Sequence, residues 1–378
     1  MKILIAPDKF KGSLDARSVA ENIAAGIRDV LPEATIVTMP IADGGEGTAA
    51  VIAEGCDAER ITARVHDALG RAIEADYFWL RDRQIAVMEM SAAAGLWRIA
   101  PAQRDLLRAN TFGVGEMMRH AAQRNPKEIL IGLGGSATND GGSGMAQALG
   151  YRFLGTDQER ELKTPAELVN LTRITRPEIL TALSRQDCDA PFPKVIAAVD
   201  VRNPLLGERG ATRTFGRQKG GSAEQLELLE EGLKRLADIA ARDLGCDFRD
   251  TPGAGAAGGL GFGLMSFCGA TIEPGFDVVA EFIGLRAAID RADVVITGEG
   301  RLDAQTLEGK GPAGVARLAR QSGKRVYAIA GWASDAPEIR DLFDGIAALA
   351  RPPVRTEEAI NRAGELLQER ARELARMM

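Results

Sequence analysis

The sequence predicts an α/β protein: a doubly wound, Rossmann-like parallel sheet with a second α/β domain inserted into it. Three observations predict this. Short continuous apolar runs, such as Ile3-Leu4-Ile5 and Val294-Val295-Ile296, suit strands buried on both faces. At both ends of the chain such runs alternate with segments of helical periodicity. The length of 378 residues suggests two domains or more, at about 150 residues each.

The first strand is expected over 2–6. A helix follows Ser13, a good N-cap, with Val19, Ile23 and Ile27 as its apolar stripe and Pro32 as its stop. Strand 34–39 and a helix from Thr48 complete the N-terminal part. The C-terminal part repeats the grammar: strands 293–297, 325–330 and 345–349, with helices near 311–322 and 336–343. A last helix has Thr356 as N-cap and Ile360, Ala363, Leu367 and Leu374 as its apolar face. In the middle, 61–65, 73–80 and 85–90 read as short strands. Then come a helix near 113–124, strands 129–133 and 194–199, and a strong helix at 224–244. That helix carries Leu226, Leu229, Leu233, Leu236 and Ala240, and Gly245 stops it. The expected domains are 1–55 plus 290–378, and an inserted 56–289, with the active site in the cleft between them.

Composition narrows the function. Apolar residues make up 45% and charged residues 26%, the balance of a soluble globular protein. A net charge of −6 argues against nucleic-acid or anionic-membrane partners. Cys56, Cys188, Cys246 and Cys268 are isolated, which fits neither a disulfide framework nor a zinc site and points to the reducing cytoplasm. With only His66 and His120, chemistry built on several histidines is excluded. The N-terminus reads as a strand and not a signal peptide. The uncharged run 251–272 has seven glycines, so it reads as a Gly-rich loop entering a buried helix, not a membrane span.

Glycines and carboxylates gather where strands end. The loops are 7–13 after the first strand, 43–48 after the second, 134–142 after strand 129–133, Asp200 after strand 194–199, and 298–303 after strand 293–297. In open parallel sheets, ligands bind at that carboxyl edge. Backbone nests for phosphate, carboxylates for Mg²⁺ and a lysine point charge are the parts of a phosphoryl-transfer site. Each feature has a plainer reading. The glycine loops could be tight turns, Asp43 and Asp303 helix N-caps, Asp200 a turn cap, and Trp79, Trp97 and Trp332 core or rim. Gly253-Ala-Gly-Ala-Ala-Gly258 fits the dinucleotide pattern but follows a polar segment ending in Pro252, where a strand is required. Gly309-Lys310-Gly311 lacks the Ser or Thr of a P-loop, and neither the kinase motif set nor Gly-x-Ser-x-Gly occurs.

The set Ala6-Pro-Asp-Lys-Phe-Lys-Gly-Ser13, Ala42-Asp-Gly-Gly-Glu-Gly-Thr48, Gly132-Leu-Gly-Gly-Ser-Ala-Thr-Asn-Asp-Gly-Gly142, Asp200-Val-Arg-Asn-Pro-Leu205, Pro252-Gly-Ala-Gly-Ala-Ala-Gly-Gly259 and Thr297-Gly-Glu-Gly-Arg-Leu-Asp303 resembles the bacterial class I glycerate kinases. The resemblance runs in order from residue 3 to about 331. It implies ATP-dependent phosphorylation of D-glycerate, at the 2-hydroxyl, with Mg²⁺, on a two-domain α/β chain. It leaves room for a homodimer.

Chemistry then suggests roles. Gly134, Gly135, Ser136, Thr138, Asn139 and Asp140 would hold nucleotide phosphates, with Gly253, Gly255 and Lys310 assisting. Asp43, Glu46 and Asp303 are the metal candidates. Lys9 would offset charge on the transferred group, and Asp200 would accept the hydroxyl proton. Lys11, Ser13 and Arg301 would bind the substrate, with the guanidinium on its carboxylate. The alternatives are a nicotinamide-dependent dehydrogenase using the Gly253 pattern, and a sugar-acid-binding regulator without catalysis.

Overall fold

The computed structural model describes residues 1–156, 160–177, 193–304, 306–308, 311–352 and 354–378. The chain divides into two compact units. The first comprises 1–43, 50–56 and 275–378, and the second 44–49 and 57–274. The boundaries therefore differ from those expected by one residue at Cys56 and by more in two other places. Gly45 belongs with the second unit because its Cα lies 2.5 Å from where a Cβ on Gly134 would be. The helix Gly275–Phe282 belongs with the first, where Phe276 packs against Gly314.

The first unit has a five-stranded sheet, all parallel. Its spatial order is Gly345–Ala348, Arg325–Ala333, Val294–Leu302, Lys2–Pro7, Thr35–Thr38. Ile3, Leu4 and Ile5 are buried, as are Val294, Val295 and Ile296, which is why these runs carry no polar alternation. The strand that follows Lys2–Pro7 in sequence lies on one side of it, and the three C-terminal strands lie on the other. Strand order thus reverses between Lys2–Pro7 and Val294–Leu302, paired from Ile3 opposite Val294 to Pro7 opposite Gly298. The Asp8 N–H donates to the Gly298 carbonyl at 2.8 Å and continues that pairing past the strand end.

Two helix expectations in this unit change. The first helix, Ala16–Val30, is capped by Asp15, whose Oδ1 accepts from the Ser18 N–H at 2.7 Å. Ser13 sits earlier in a turn, its hydroxyl donating to the Ile360 carbonyl. The C-terminal helix is two helices, Thr356–Asn361 and Ala363–Ala375, broken at Arg362. Thr356 is the first helical residue and Arg355 its cap. Ile360 is 47% exposed, so the apolar face begins at Ala363 and continues through Leu367 and Leu374.

The second unit is built on a six-stranded sheet in the order Thr271–Pro274, Lys194–Val199, Glu128–Gly132, Ile85–Glu89, Ala72–Leu80, Glu59–His66. The first four strands are parallel, and the last two continue as antiparallel neighbours. Thr271–Pro274 and a separate pair, Arg152–Gly155 with Leu171–Thr175, were not expected from the sequence. The helix Ala223–Leu244 starts in a capping box between Ser222 and Gln225 and buries Leu226, Leu229, Leu233, Leu236 and Ala240. Ala256–Cys268 is the buried helix entered from the Gly-rich loop. Among the described residues no helix is long and apolar enough to cross a membrane. Cys246 and Cys268 are free thiols, the Cys56 thiol donates to the Phe282 carbonyl at 3.2 Å, and Cys188 lies outside the described residues.

The packing of Ala16–Val30 on Ala363–Ala375 depends on Gly26. A Cβ there would lie 2.3 Å from the Gln368 carbonyl oxygen and 2.8 Å from the Ala371 Cβ. Gly26→Ala is expected to destabilise the protein by about 1–3 kcal/mol, read as a lower urea midpoint at unchanged slope.

Candidate active site

The switch point of the first unit gathers carboxylates. Asp8 begins the loop after Lys2–Pro7, Glu299 lies near the end of the neighbouring strand, and Asp43 follows the strand Thr35–Thr38. Asp8 is only 6% exposed. Burial first, then the negative charge of Asp43, push its carboxyl up from 3.8 to about 7, and Glu299 adds to the push. The charge of Lys9 and its N–H, which donates to Asp8 Oδ1 at 2.6 Å, pull the other way. Glu299 accepts from the Thr306 hydroxyl at 2.7 Å, and that hydroxyl also receives the Asp303 N–H. Arg301 donates from Nε to Asp303 Oδ2 at 2.8 Å and stacks on Trp332, 4.6 Å from the ring centre.

The second unit has a glycine-rich loop of its own. The loop 132–142 packs backbone to backbone on 44–46, and Glu46 Oε2 lies 3.6 Å from where a Cβ on Gly135 would be. Glu89 anchors the 44–48 loop by accepting from the N–H groups of Gly47 and Ala49, both at 2.9 Å. The opposite side of loop 132–142 meets the loop 253–259. Gly258 has φ +71, and a Cβ on it would fall 1.9 Å from the Thr138 carbonyl oxygen. Asp140, fully buried, accepts from the Thr111 N–H and hydroxyl and from the N–H groups of Gly142 and Gly144, at 2.7–3.2 Å. Burial pushes its carboxyl upward against these four bonds.

A model of the glycerate kinase family matches residues 3–378. This chain belongs to the glycerate kinase family. A glycerate kinase of Halalkalibacterium halodurans is 40% identical over 375 residues, 99% of this chain and 97% of the relative. The glycerate 2-kinase of Escherichia coli K12 is 41% identical over 336 residues, 89% and 86% of the two chains. A solved Salmonella typhimurium LT2 protein, described as a glycerate kinase 2, is 40% identical and aligns over 100% of this chain and 98% of its own with TM-score 0.83.

In this family member the expected site residues separate by unit. Lys9, Lys11, Ser13, Asp43, Arg301 and Asp303 are in the first; Glu46, the 134–140 loop, Asp200, Gly253 and Gly255 are in the second. For several of these residues the structure shows partners within the protein. The Asp140 carboxylate accepts from its own loop and from Thr111. Thr138 and Asn139 are also fully buried. Asn139 donates to the Thr212 hydroxyl, and the Thr138 hydroxyl faces the Ala257 carbonyl. Gly253 and Gly255 have packing reasons: a Cβ would meet Ile272 at 3.0 Å and the Pro204 carbonyl at 2.2 Å. No strand precedes them, so the dinucleotide reading lapses. Ser13 serves its turn. Lys310 lies outside the described residues. Lys11 is exposed, whereas Lys9, Asp43 and Asp200 are half-buried.

The family's reaction implies a divalent cation. Among the described residues no three His, Cys, Asp or Glu side chains form a ready metal cage. Mg²⁺ does not need one, because it binds through one or two carboxylates together with substrate phosphates and water. Asp8 and Asp43 fit that demand: their like charges, one buried and one half-buried, act on each other, and a dication would neutralise both. Asp303 fits less well because it is engaged with Arg301.

Asp8, Glu299, Glu89 and Lys219 were not singled out from the sequence. The first three occupy the ends of parallel strands, a position that could have marked them. Lys219 carries no such signal. Asp140→Ala would strand four donors, and a loss of about 3–5 kcal/mol is expected by urea unfolding. It should be larger than that of Asp140→Asn, which keeps an acceptor.

Proposed function

We propose that this protein transfers the γ-phosphoryl group of ATP to D-glycerate at the 2-hydroxyl, giving 2-phosphoglycerate and ADP. Family membership supports the reaction class, and the relative named a glycerate 2-kinase supports the position. The observation that carries the site is the buried Asp8 set with Asp43 and Glu299 at the switch point of an all-parallel sheet.

Phosphoryl transfer leaves little covalent work to the protein, so positioning and charge do most of it. The 2-hydroxyl oxygen attacks the γ-phosphorus, the bond to the bridging oxygen breaks, and ADP leaves. The backbone of 134–137 would cradle the phosphates. Lys9 would offset the charge of the moving group. Asp200, at the end of Lys194–Val199, would accept the hydroxyl proton. Lys11 and the Trp332-backed Arg301 would hold the glycerate carboxylate. Asp8 and Asp43 would hold Mg²⁺. When bound, that ion neutralises the phosphate oxygens. We place the protein in the cytoplasm, on the strength of its free thiols. Its negative charge supports a small-molecule substrate over nucleic acid.

The direct test is a coupled assay with D-glycerate, ATP and Mg²⁺, with the product read by NMR. Phosphate on the 2-oxygen is expected; phosphate on the 3-oxygen would overturn the position, and no turnover the function. Asp200→Asn is expected to cut turnover by orders of magnitude with the fold intact.

Asp8 makes a separate prediction about pH. Its carboxyl titrates near 3.8 when unfolded and about 7 when folded. Between those values the folded state binds the extra proton, so its contribution to stability falls as pH rises toward about 7 and stays low above it. The ceiling is ~4 kcal/mol. Asp8→Asn should therefore raise the melting temperature at pH 8 without Mg²⁺ and cut turnover at least a hundredfold. An unchanged melting temperature would show that the folded protein does not strain to hold this charge.

A further inference from the structure

Lys219 is the buried cation that the reaction scheme above leaves unused. It is 3% exposed, in a chain where lysines are few, and lysines are rarely buried unless paired. Its ammonium donates to the Thr138 carbonyl at 2.7 Å, across 81 positions of sequence. It sits in a tight turn, Arg217–Lys219, closed by its own N–H on the Gly216 carbonyl and ended by Gly220 in the left-handed region. The short helix just before that turn, Ala211–Phe215, supplies Thr212, whose hydroxyl accepts from Asn139 Nδ2 at 3.1 Å. One segment, 211–219, therefore grips two consecutive residues of the glycine loop, Thr138 by its backbone and Asn139 by its side chain.

The grip lies beneath the part of the loop assigned to phosphate. Above Thr138 toward the N-terminus are Ser136, 8% exposed, and Gly135, which faces solvent. On the other side, Gly258 presses against the same Thr138 carbonyl. The ionisable group acting on Lys219 is Asp140, two residues further along the loop. Burial pushes the ammonium down to about 7 against that attraction. A desolvated charge of this kind weakens the fold, so hydrophobic replacements of buried charges are often neutral or stabilising.

We propose that Lys219 is a positioning residue for the kinase reaction: by clamping the Thr138 carbonyl it fixes the loop 134–139 in the shape that receives the ATP phosphates. This rests on the phosphate assignment of that loop. Lys219 touches no substrate. It acts through the backbone, with Thr212 as the second point of the brace.

The experiment compares the full-length wild type with Lys219→Met. The expected result is a folded variant, melting no lower than wild type, with the ATP KM raised tenfold or more and the glycerate KM within twofold. A purely structural lysine would shift melting and leave the ratio of the two KM values unchanged. A folded variant with ATP KM within twofold of wild type overturns the proposal. If Lys219→Met does not fold, Thr212→Val, which removes the second point of the brace, decides: ATP KM should rise several-fold with glycerate KM within twofold, and an unchanged ATP KM overturns the proposal. Amide exchange with and without ATP tests the underlying assignment separately. ATP should protect 134–137; if it does not, the phosphate assignment fails, and the proposal with it, whatever Lys219→Met does.

Discussion

The buried carboxylate of Asp140 is the interaction on which the second unit's site depends. It sits where water does not reach and answers four donors from Thr111, Gly142 and Gly144. Hydrogen bonds to a charged, desolvated acceptor are strong, and an unmet donor in such a place is costly. The result is a loop whose far half, 138–144, is committed to its own structure. Its near half, 134–137, is carried on that rigid base. Segment 94–96 reinforces the near half, since the Leu96 N–H donates to the Gly135 carbonyl and the Ala137 N–H to the Ala94 carbonyl. Preorganised backbone donors are worth most when nothing has to move to present them.

The first unit works by an opposite means. Burial and the charges of Asp43 and Glu299 act together on Asp8, whose carboxyl is pushed up to about 7. A cation bound beside such a group would relieve the repulsion. Instability of the empty state becomes attraction for whatever neutralises it. The parallel sheet makes the arrangement unavoidable, because strand reversal splays the chain at the ends of Lys2–Pro7 and Val294–Leu302 and leaves both loops facing the same gap.

Much of this was legible in the residues. The apolar runs in Lys2–Pro7, Val294–Leu302 and Arg325–Ala333 mark those strands because both faces of a parallel sheet are covered there. The helix Ala223–Leu244 was readable from its leucine spacing and its Gly245 stop. Less was legible where tertiary contacts decide. Ser13 looks as good a cap as Asp15, and only the chain path chooses between them. Ile360 fits an apolar stripe until Arg362 breaks the helix. In the site, motif glycines and polar residues look alike whether they meet a ligand or one another. Gly255 and Gly258 are glycines because backbone lies against them, and Asp140 is an aspartate because four donors surround it. Lys219 is invisible in sequence because its partner is a carbonyl, and every residue has one.

Glu89 carries a last consequence. A helix start offers partial positive charge and is a natural landing place for phosphate. At the start of the helix Thr48–Gly55, however, the Gly47 and Ala49 amides already hold the Glu89 carboxylate. The chain has thus installed its own permanent counter-ion at that port. An incoming polyanion finds this berth taken, so the docking choice is made by exclusion as much as by attraction.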